Sequence, residues 1–211
     1  NVTINGGTIE LTASDDGINS AGGSDSSSMG GRMGQNSFTE NSDIYIKITG
    51  GKVTVDASGD GLDSNSNLII KGGEIYVNGP TNDGNGALDY DGTATISGGT
   101  FVAVGSSGMA QGFSDSSTQC SILYNLSSSH SAGEKITLAD SSGNEILSYT
   151  STKQFSLVVV SSAKITKSGA YKLTVGSESY DIEMSSTVYS NGSNGFGGGG
   201  MRIIFSAVWG S

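Results

Sequence analysis

Four Gly-Gly pairs punctuate the first half of the chain, Gly6-Gly7, Gly50-Gly51, Gly72-Gly73 and Gly98-Gly99, and the residues around each pair follow one pattern. Two residues before the pair stand Ile4, Ile48, Ile70 and Ile96, and two after it stand Ile9, Val53, Ile75 and Phe101. Two further on come Leu11, Val55, Val77 and Ala103, while Glu10, Thr54, Tyr76 and Val102 fill the mostly polar column between. Alternation with period two is the signature of a strand with one buried face. The second and third pairs are 22 residues apart, the third and fourth 26, and the first gap of 44 is twice 22. A strand-sized unit at a fixed period indicates a solenoid, whose coils would stack about 4.8 Å apart. Glycine at the corner removes the Cβ penalty where the backbone needs positive φ. The expected fold is all-β: a right-handed parallel β-helix of 22 residues per coil over residues 1–133, with handedness following the rule for parallel crossovers.

Beyond residue 133 the pattern changes. Ile136–Leu138, Ile146–Tyr149, Leu157–Val160, Tyr171–Val175 and Tyr180–Met184 are expected to be short strands, with turn signals at 140–144 and 176–178. Residues 134–189 are therefore expected to form antiparallel hairpins that pack on or cap the solenoid, because an open coil end exposes unpaired strand edges. The polar stretch 24–43 interrupts the repeat and is expected to project as a loop, and the Ser-rich stretch 114–133 to change register, with His130 a solvated loop residue. Residues 190–200 have linker composition, and the apolar segment 201–209 is either an edge-pairing strand or a cloning remnant. The opening Asn1-Val2-Thr3-Ile4 matches the end of a coil, so a mature or truncated piece with its first coil cut is expected.

Composition sharpens this picture. Glycine supplies 34 of 211 residues, there is one proline, and charged residues make up 14%. Such glycine content often marks disorder, but the regular apolar columns argue for order through residue 113. A formal net charge of −10 disfavours nucleic acid, whose phosphates need a basic surface, and suits divalent cations. The apolar tail is too short to span a bilayer, so no membrane insertion is expected. Cys120 is single, which excludes an internal disulfide.

The acids have a pattern of their own. The corner after each strand reads Ser14-Asp15-Asp16-Gly17-Ile18-Asn19-Ser20, then Gly59-Asp60-Gly61-Leu62-Asp63-Ser64-Asn65, then Gly86-Ala87-Leu88-Asp89-Tyr90-Asp91-Gly92; a fourth, Gly108-Met109-Ala110-Gln111, has lost the acids. Ile18, Leu62, Leu88 and Met109 are expected to form one inward column, which stacks Asp16 near Asp60 and sets Asn19, Asp63 and Asp89 in a ladder. Stacked carboxylates repel by about 1 kcal/mol per pair in water and more when partly buried, so the ladder calls for a cation. Hard oxygen donors without clustered His or Cys select Ca2+, in a structural role and as more than one ion. Asp-Gly pairs are also ordinary turn residues, and that reading stays open.

Tyr45, Tyr76 and Tyr90 sit in otherwise polar columns and are candidate sugar platforms, with packing beneath the hairpin region as the alternative. No basic residue stands among the corner acids, and no nucleophile motif surrounds the serines, so a binding protein is expected and not an enzyme.

The stretches DDGINSAGG, GDGLDSNSNLIIKGG, GPTNDGNGALDYDGTATISGGTFVAVGSSGMAQ and ITLADSSGNEILSYTSTKQFSLVVVSS resemble a family of bacterial, clostridial-type carbohydrate-binding domains of anaerobic plant-fibre degraders, over residues 1–185. The resemblance implies a right-handed parallel β-helix shaped like calcium-dependent pectate lyases, structural calcium, secretion or cell-surface location, and binding to cellulose and polygalacturonate. Carried over by position, it implies calcium ligands at Asp15, Asp16, Asp60, Asp63 and Asp89, with Asn19, Asn65 and Asp91 as further members. A rival class remains: a self-assembling, calcium-bound filament or matrix subunit, a homo-oligomer joined through open coil ends or residues 201–209.

Overall fold

The computed structural model describes residues 1–20 and 44–192; the insertion 24–43 and the segment 201–209 lie outside the described residues. Every regular element among the described residues is a strand. In chain order these are β1 (Val2–Ile4), β2 (Thr8–Ala13), β3 (Ile18–Ser20), β4 (Tyr45–Ile48), β5 (Lys52–Ala57), β6 (Leu62–Ser64), β7 (Asn67–Ile70), β8 (Glu74–Asn78) and β9 (Leu88–Tyr90). They continue as β10 (Ala94–Ile96), β11 (Thr100–Gly105), β12 (Ser121–His130), β13 (Lys135–Asp140), β14 (Glu145–Thr150), β15 (Phe155–Ser161), β16 (Ala170–Val175), β17 (Glu178–Glu183) and β18 (Val188–Ser190).

The strands form four sheets, in the orders β1-β4-β7-β10, β3-β6-β9, β18-β12-β15-β11-β8-β5-β2 and β14-β13-β16-β17. The first two are wholly parallel, as is the β2-β5-β8-β11 part of the third. Registers match the sequence columns. Ile4 pairs with Ile48 and Ile48 with Ile70, Val53 aligns with Ile9 and Ile75, and Leu62 with Ile18 and Leu88. The second glycine of each pair has positive φ, 87° at Gly7, 91° at Gly51, 97° at Gly73 and 90° at Gly99, a conformation that an L side chain resists. Their carbonyls accept from the next rung: Lys52 N–H donates to Gly7 O at 2.8 Å, Glu74 N–H to Gly51 O at 2.8 Å and Thr100 N–H to Gly73 O at 2.9 Å.

Inward columns of all three parallel sheets fill one core, including Ile46, Ile48, Val53, Val55, Leu62, Leu68, Ile75, Leu88 and Phe101. A second core lies on the other face of the seven-stranded sheet, where Val102, Val104, Val158 and Val160 meet Ile136, Leu138, Leu173 and Val175 of the antiparallel sheet. The exposed edge of β11 is covered by β15, which pairs with it antiparallel from Phe101↔Ser161 to Gly105↔Leu157. β15 lies inside residues 134–189 yet sits between β11 and β12 in the first region's own sheet.

Two expectations are corrected. Met109 is 38% exposed and does not continue the inward column; the buried residue there is Ala110, packed in the first core. The fourth corner forms no strand among the described residues, so period two no longer dictates which side chain turns in. His130 is not a solvated loop residue: it ends the ten-residue strand β12 and is buried against Phe155, with ring centroids 5.7 Å apart. Its Nδ1 lies 2.8 Å from Glu134 Oε2, and Glu178 Oε2 lies 3.6 Å from its Nε2.

Candidate metal centre

The corner between β2 and β3 lies directly over the corner between β5 and β6. Gly17 N–H donates to Asp60 O at 2.8 Å, and Gly59 N–H to Asp15 O at 3.0 Å, so the two turns are stitched through their backbones. Glycine is required at 59, because a Cβ there would fall 2.5 Å from Asp16 Oδ1 and 2.8 Å from the Asp15 carbonyl carbon. The Gly-Asp-Gly motif thus lets two acid-bearing turns approach closely.

This approach gathers the acids. Asp16 Oδ1 accepts the Asp60 N–H at 3.0 Å, and its Oδ2 accepts from Asn19 Nδ2 at 2.9 Å. Asp60 Oδ1 accepts the Gly86 N–H at 2.6 Å from the rung beyond. Asp63 is flanked in register by Asn19 and Asp89, and Asn19 Nδ2 donates to its Oδ2 as well. Asp16, Asp60 and Asp63 each place one carboxylate oxygen within 4.8 Å of the other two.

Burial and mutual repulsion act in the same direction here. Desolvation, opposed by the Gly86 N–H and reinforced by Asp89, Asp16 and Asp15, pushes the Asp60 carboxyl up to about 6. Asp63 is pushed up to about 7, by desolvation first and then by Asp16, Asp89, Asp60 and Asp91. Asp89 is raised by burial and by Asp91. Among the described residues, no ion pair joins any of these carboxylates to Lys, Arg or His.

The other candidate ligands take marginal places. Asp15 is exposed beside Gly59 and adds to the repulsion felt by Asp60. Asp91 is exposed, its N–H donating to Ser64 O at 3.1 Å, and it raises Asp63 and Asp89. Asn65 is exposed on the following bend, where its N–H donates to Ser20 O at 3.2 Å.

The donor set fits a hard cation. It offers three carboxylates from two successive rungs, a fourth one rung on, and the Asn19 amide. Asn19 turns its nitrogen toward Asp16 and Asp63; half a turn about χ2 presents the oxygen instead, the orientation that a bound cation requires.

The three tyrosines do not share a face: Tyr45 is on β4, Tyr76 on β8 and Tyr90 on β9, each in a different sheet. Tyr90 packs against the first core, donates its hydroxyl to Gly112 O and is pushed up to about 12 by burial and by Asp89. Tyr45 is half-buried opposite Asn67. Tyr76 stacks on Tyr149 at 5.2 Å and 11°. Tyr149 is a partner that the sequence analysis did not single out; its signal was the alternation Ile146-Leu147-Ser148-Tyr149, which places it on the same face as the buried Leu147, toward the second core.

No family model, no curated protein and no solved structure matches this chain.

Proposed function

We propose that the protein is a secreted or cell-surface bacterial carbohydrate-binding protein, stabilised by calcium, that adheres to acidic plant cell-wall polysaccharide. In this reading the three parallel ladders are the walls of a right-handed parallel β-helix, and Ca2+ ties its coils together at the aspartate corner. One observation carries it: Asp16, Asp60 and Asp63 converge from successive rungs with no cationic side chain paired to them among the described residues. Such an arrangement opposes folding when empty of charge compensation and favours it when a divalent oxygen-seeking cation binds. Asp16, Asp60 and Asp63 would hold the ion, with Asn19, Asp89, Asp15 and Asp91 around it and Asn65 at the margin. The bound cation would supply charge neutralisation and a bridge to uronate carboxylates.

The reading is of a binder and not an enzyme. Elimination from a uronate needs a base beside the metal, and the carboxylates here are paired with no lysine or arginine among the described residues. The test is metal content of the purified protein combined with retention on polygalacturonate. We expect bound calcium, and retention that weakens in chelator. Metal-free protein under plentiful calcium overturns the calcium centre, and equal retention with and without chelator overturns calcium bridging.

A second reading, the self-assembling filament subunit, is favoured by one feature: β1, β2 and β3 are all edge strands of their sheets among the described residues. Deleting residues 201–209 should abolish assembly under this reading and leave polysaccharide retention intact under the first.

A further inference from the structure

Along the step where the antiparallel sheet ends and the outer face of the seven-stranded sheet continues runs a shallow groove of about 330 Å3. It is lined by the stacked Tyr76 and Tyr149, by Lys52 and Lys135, and by Thr54, Ser148 and Thr150. Among the described residues that line it none is acidic, although the chain carries a net charge of −10; the Glu145 carboxylate stands beside it, in reach of Lys135 and Ser148. The groove is set apart from the aspartate corner in the fold: its walls are β5, β8, β13 and β14, whereas Asp63 and Asp89 belong to β6 and β9.

The aromatic wall is fixed in place. Tyr149 donates its hydroxyl to Asn78 Oδ1 at 2.9 Å, and that buried oxygen also accepts the Thr152 N–H at 3.3 Å. The ring is therefore held before any ligand arrives, which lowers the entropy lost on binding. The lysines remain available. Lys135 lies 3.5 Å from Glu145, but both side chains are more than half exposed, and such pairs contribute about 0–1 kcal/mol. Lys52 is exposed and faces Glu74 across the ladder.

We infer that this groove is a docking site for a carboxylated sugar residue, a uronate within an oligosaccharide. An aromatic ring offers the apolar face of a pyranoside a partner, hydroxyls match its hydroxyls, and the two ammonium groups match its carboxylate. The inference rests on the polysaccharide reading and adds to it a uronate site held by lysine, chemically independent of calcium.

The test is titration calorimetry of the calcium-loaded protein with a galacturonate trimer and with the uncharged galactose trimer. The probes are wild type, K52E/K135E and the charge-neutral K52M/K135M, with melting curves confirming that all three fold. The charge reversal should weaken the carboxylated trimer by about ten-fold or more, K52M/K135M should fall between, and the uncharged trimer should change by less than about two-fold. Trimer affinity that survives both lysine variants overturns the groove while leaving the polysaccharide reading in place. A wild type that binds neither trimer nor polygalacturonate overturns both.

Discussion

Asp63 concentrates the conflict between folding and charge. It is half-buried, flanked in register by Asn19 and Asp89, and raised to about 7. An acid whose folded pKa exceeds its unfolded value holds its proton more tightly when folded. It therefore contributes stability that is present below the unfolded value and lost as pH rises through the folded one. For Asp60 and Asp63 the window runs from the ordinary aspartate value of 3.8 up to about 6 and about 7. The calcium-free protein should thus melt higher at pH 5.5 than at pH 7.5. Glu134, Asp140 and Glu145 have lowered values and act in the opposite sense, but only as pH falls below the ordinary carboxylate range, so they leave this window alone. Under the proposed calcium reading the ion would compete with those protons, and its affinity should fall as pH drops through the same range. Asp63→Asn gives a sharper check, because its effect should change sign. Without calcium at pH 7.5 it should stabilise by about 0.5–1 kcal/mol, a figure already reduced for solvent screening; with calcium it should destabilise, through lost affinity. Melting curves of both proteins in chelator and in excess calcium decide this, and an effect of the same sign in both conditions would sink the metal centre.

Among the elements, the parallel ladders were the most legible part of the sequence, and the reason is the corner. Each Gly-Gly fixes where a strand starts, and period-two alternation then fixes every side chain on it. Asn19, Asp63 and Asp89 could therefore be placed side by side from sequence alone, and they are so paired. Legibility stopped where the corner stopped. Gly108-Met109-Ala110-Gln111 has no strand to impose alternation, and Ala110 is buried in place of Met109. Leu157-Val158-Val159-Val160 was recognisable as a strand, but a run apolar on both faces does not name its neighbours, so its seat between β11 and β12 was hidden. Ser127-Ser128-Ser129 disguised the end of β12 by composition, and with it the burial of His130. Tyr45, Tyr76 and Tyr90 each come from an otherwise polar column, but alternation within a strand does not say which sheet a strand joins, and the three fall in three different sheets. Corner glycine makes the element-scale prediction. Gly73 has φ 97°, and a Cβ on it would stand 2.8 Å from Gly51 O, so Gly73→Ala should cost about 2 kcal/mol or more. Gly6→Ala, at a position with nothing within 4 Å, should change stability by no more than about 0.5 kcal/mol. Equal melting temperatures for these two variants would mean that the corner geometry does not govern the ladder.

On the scale of the whole molecule, β15 decides how the two cores communicate. Leu157 and Val159 enter the first core, and Val158 and Val160 enter the second, each fully buried. One strand thus serves as wall to both, and its removal would open both. The loop after β14 adds a second tie: Lys153 Nζ lies 3.3 Å from Asp56 Oδ1, and Thr152 Oγ1 donates to Asp56 Oδ2 at 2.9 Å. We therefore expect one cooperative unfolding transition. Leu157→Ala and Val158→Ala, though facing opposite cores, should each shift that single transition, Leu157→Ala by about 2–4 kcal/mol. Under the proposed calcium reading, the same coupling would carry the ion's effect across the protein. A ligand present at a hundred times its dissociation constant stabilises by about 2.7 kcal/mol, which at this size raises the melting temperature by roughly 5–10 °C. The aspartate corner flanks the first core, yet the tyrosine contacts of the second, Tyr76 with Tyr149 and Tyr124 with Tyr180, should melt at the shifted temperature. Near-ultraviolet circular dichroism follows those tyrosines and far-ultraviolet the strands. Coincident midpoints that move together when calcium is added establish the coupling, whereas a tyrosine signal that ignores calcium would show that β15 does not transmit it.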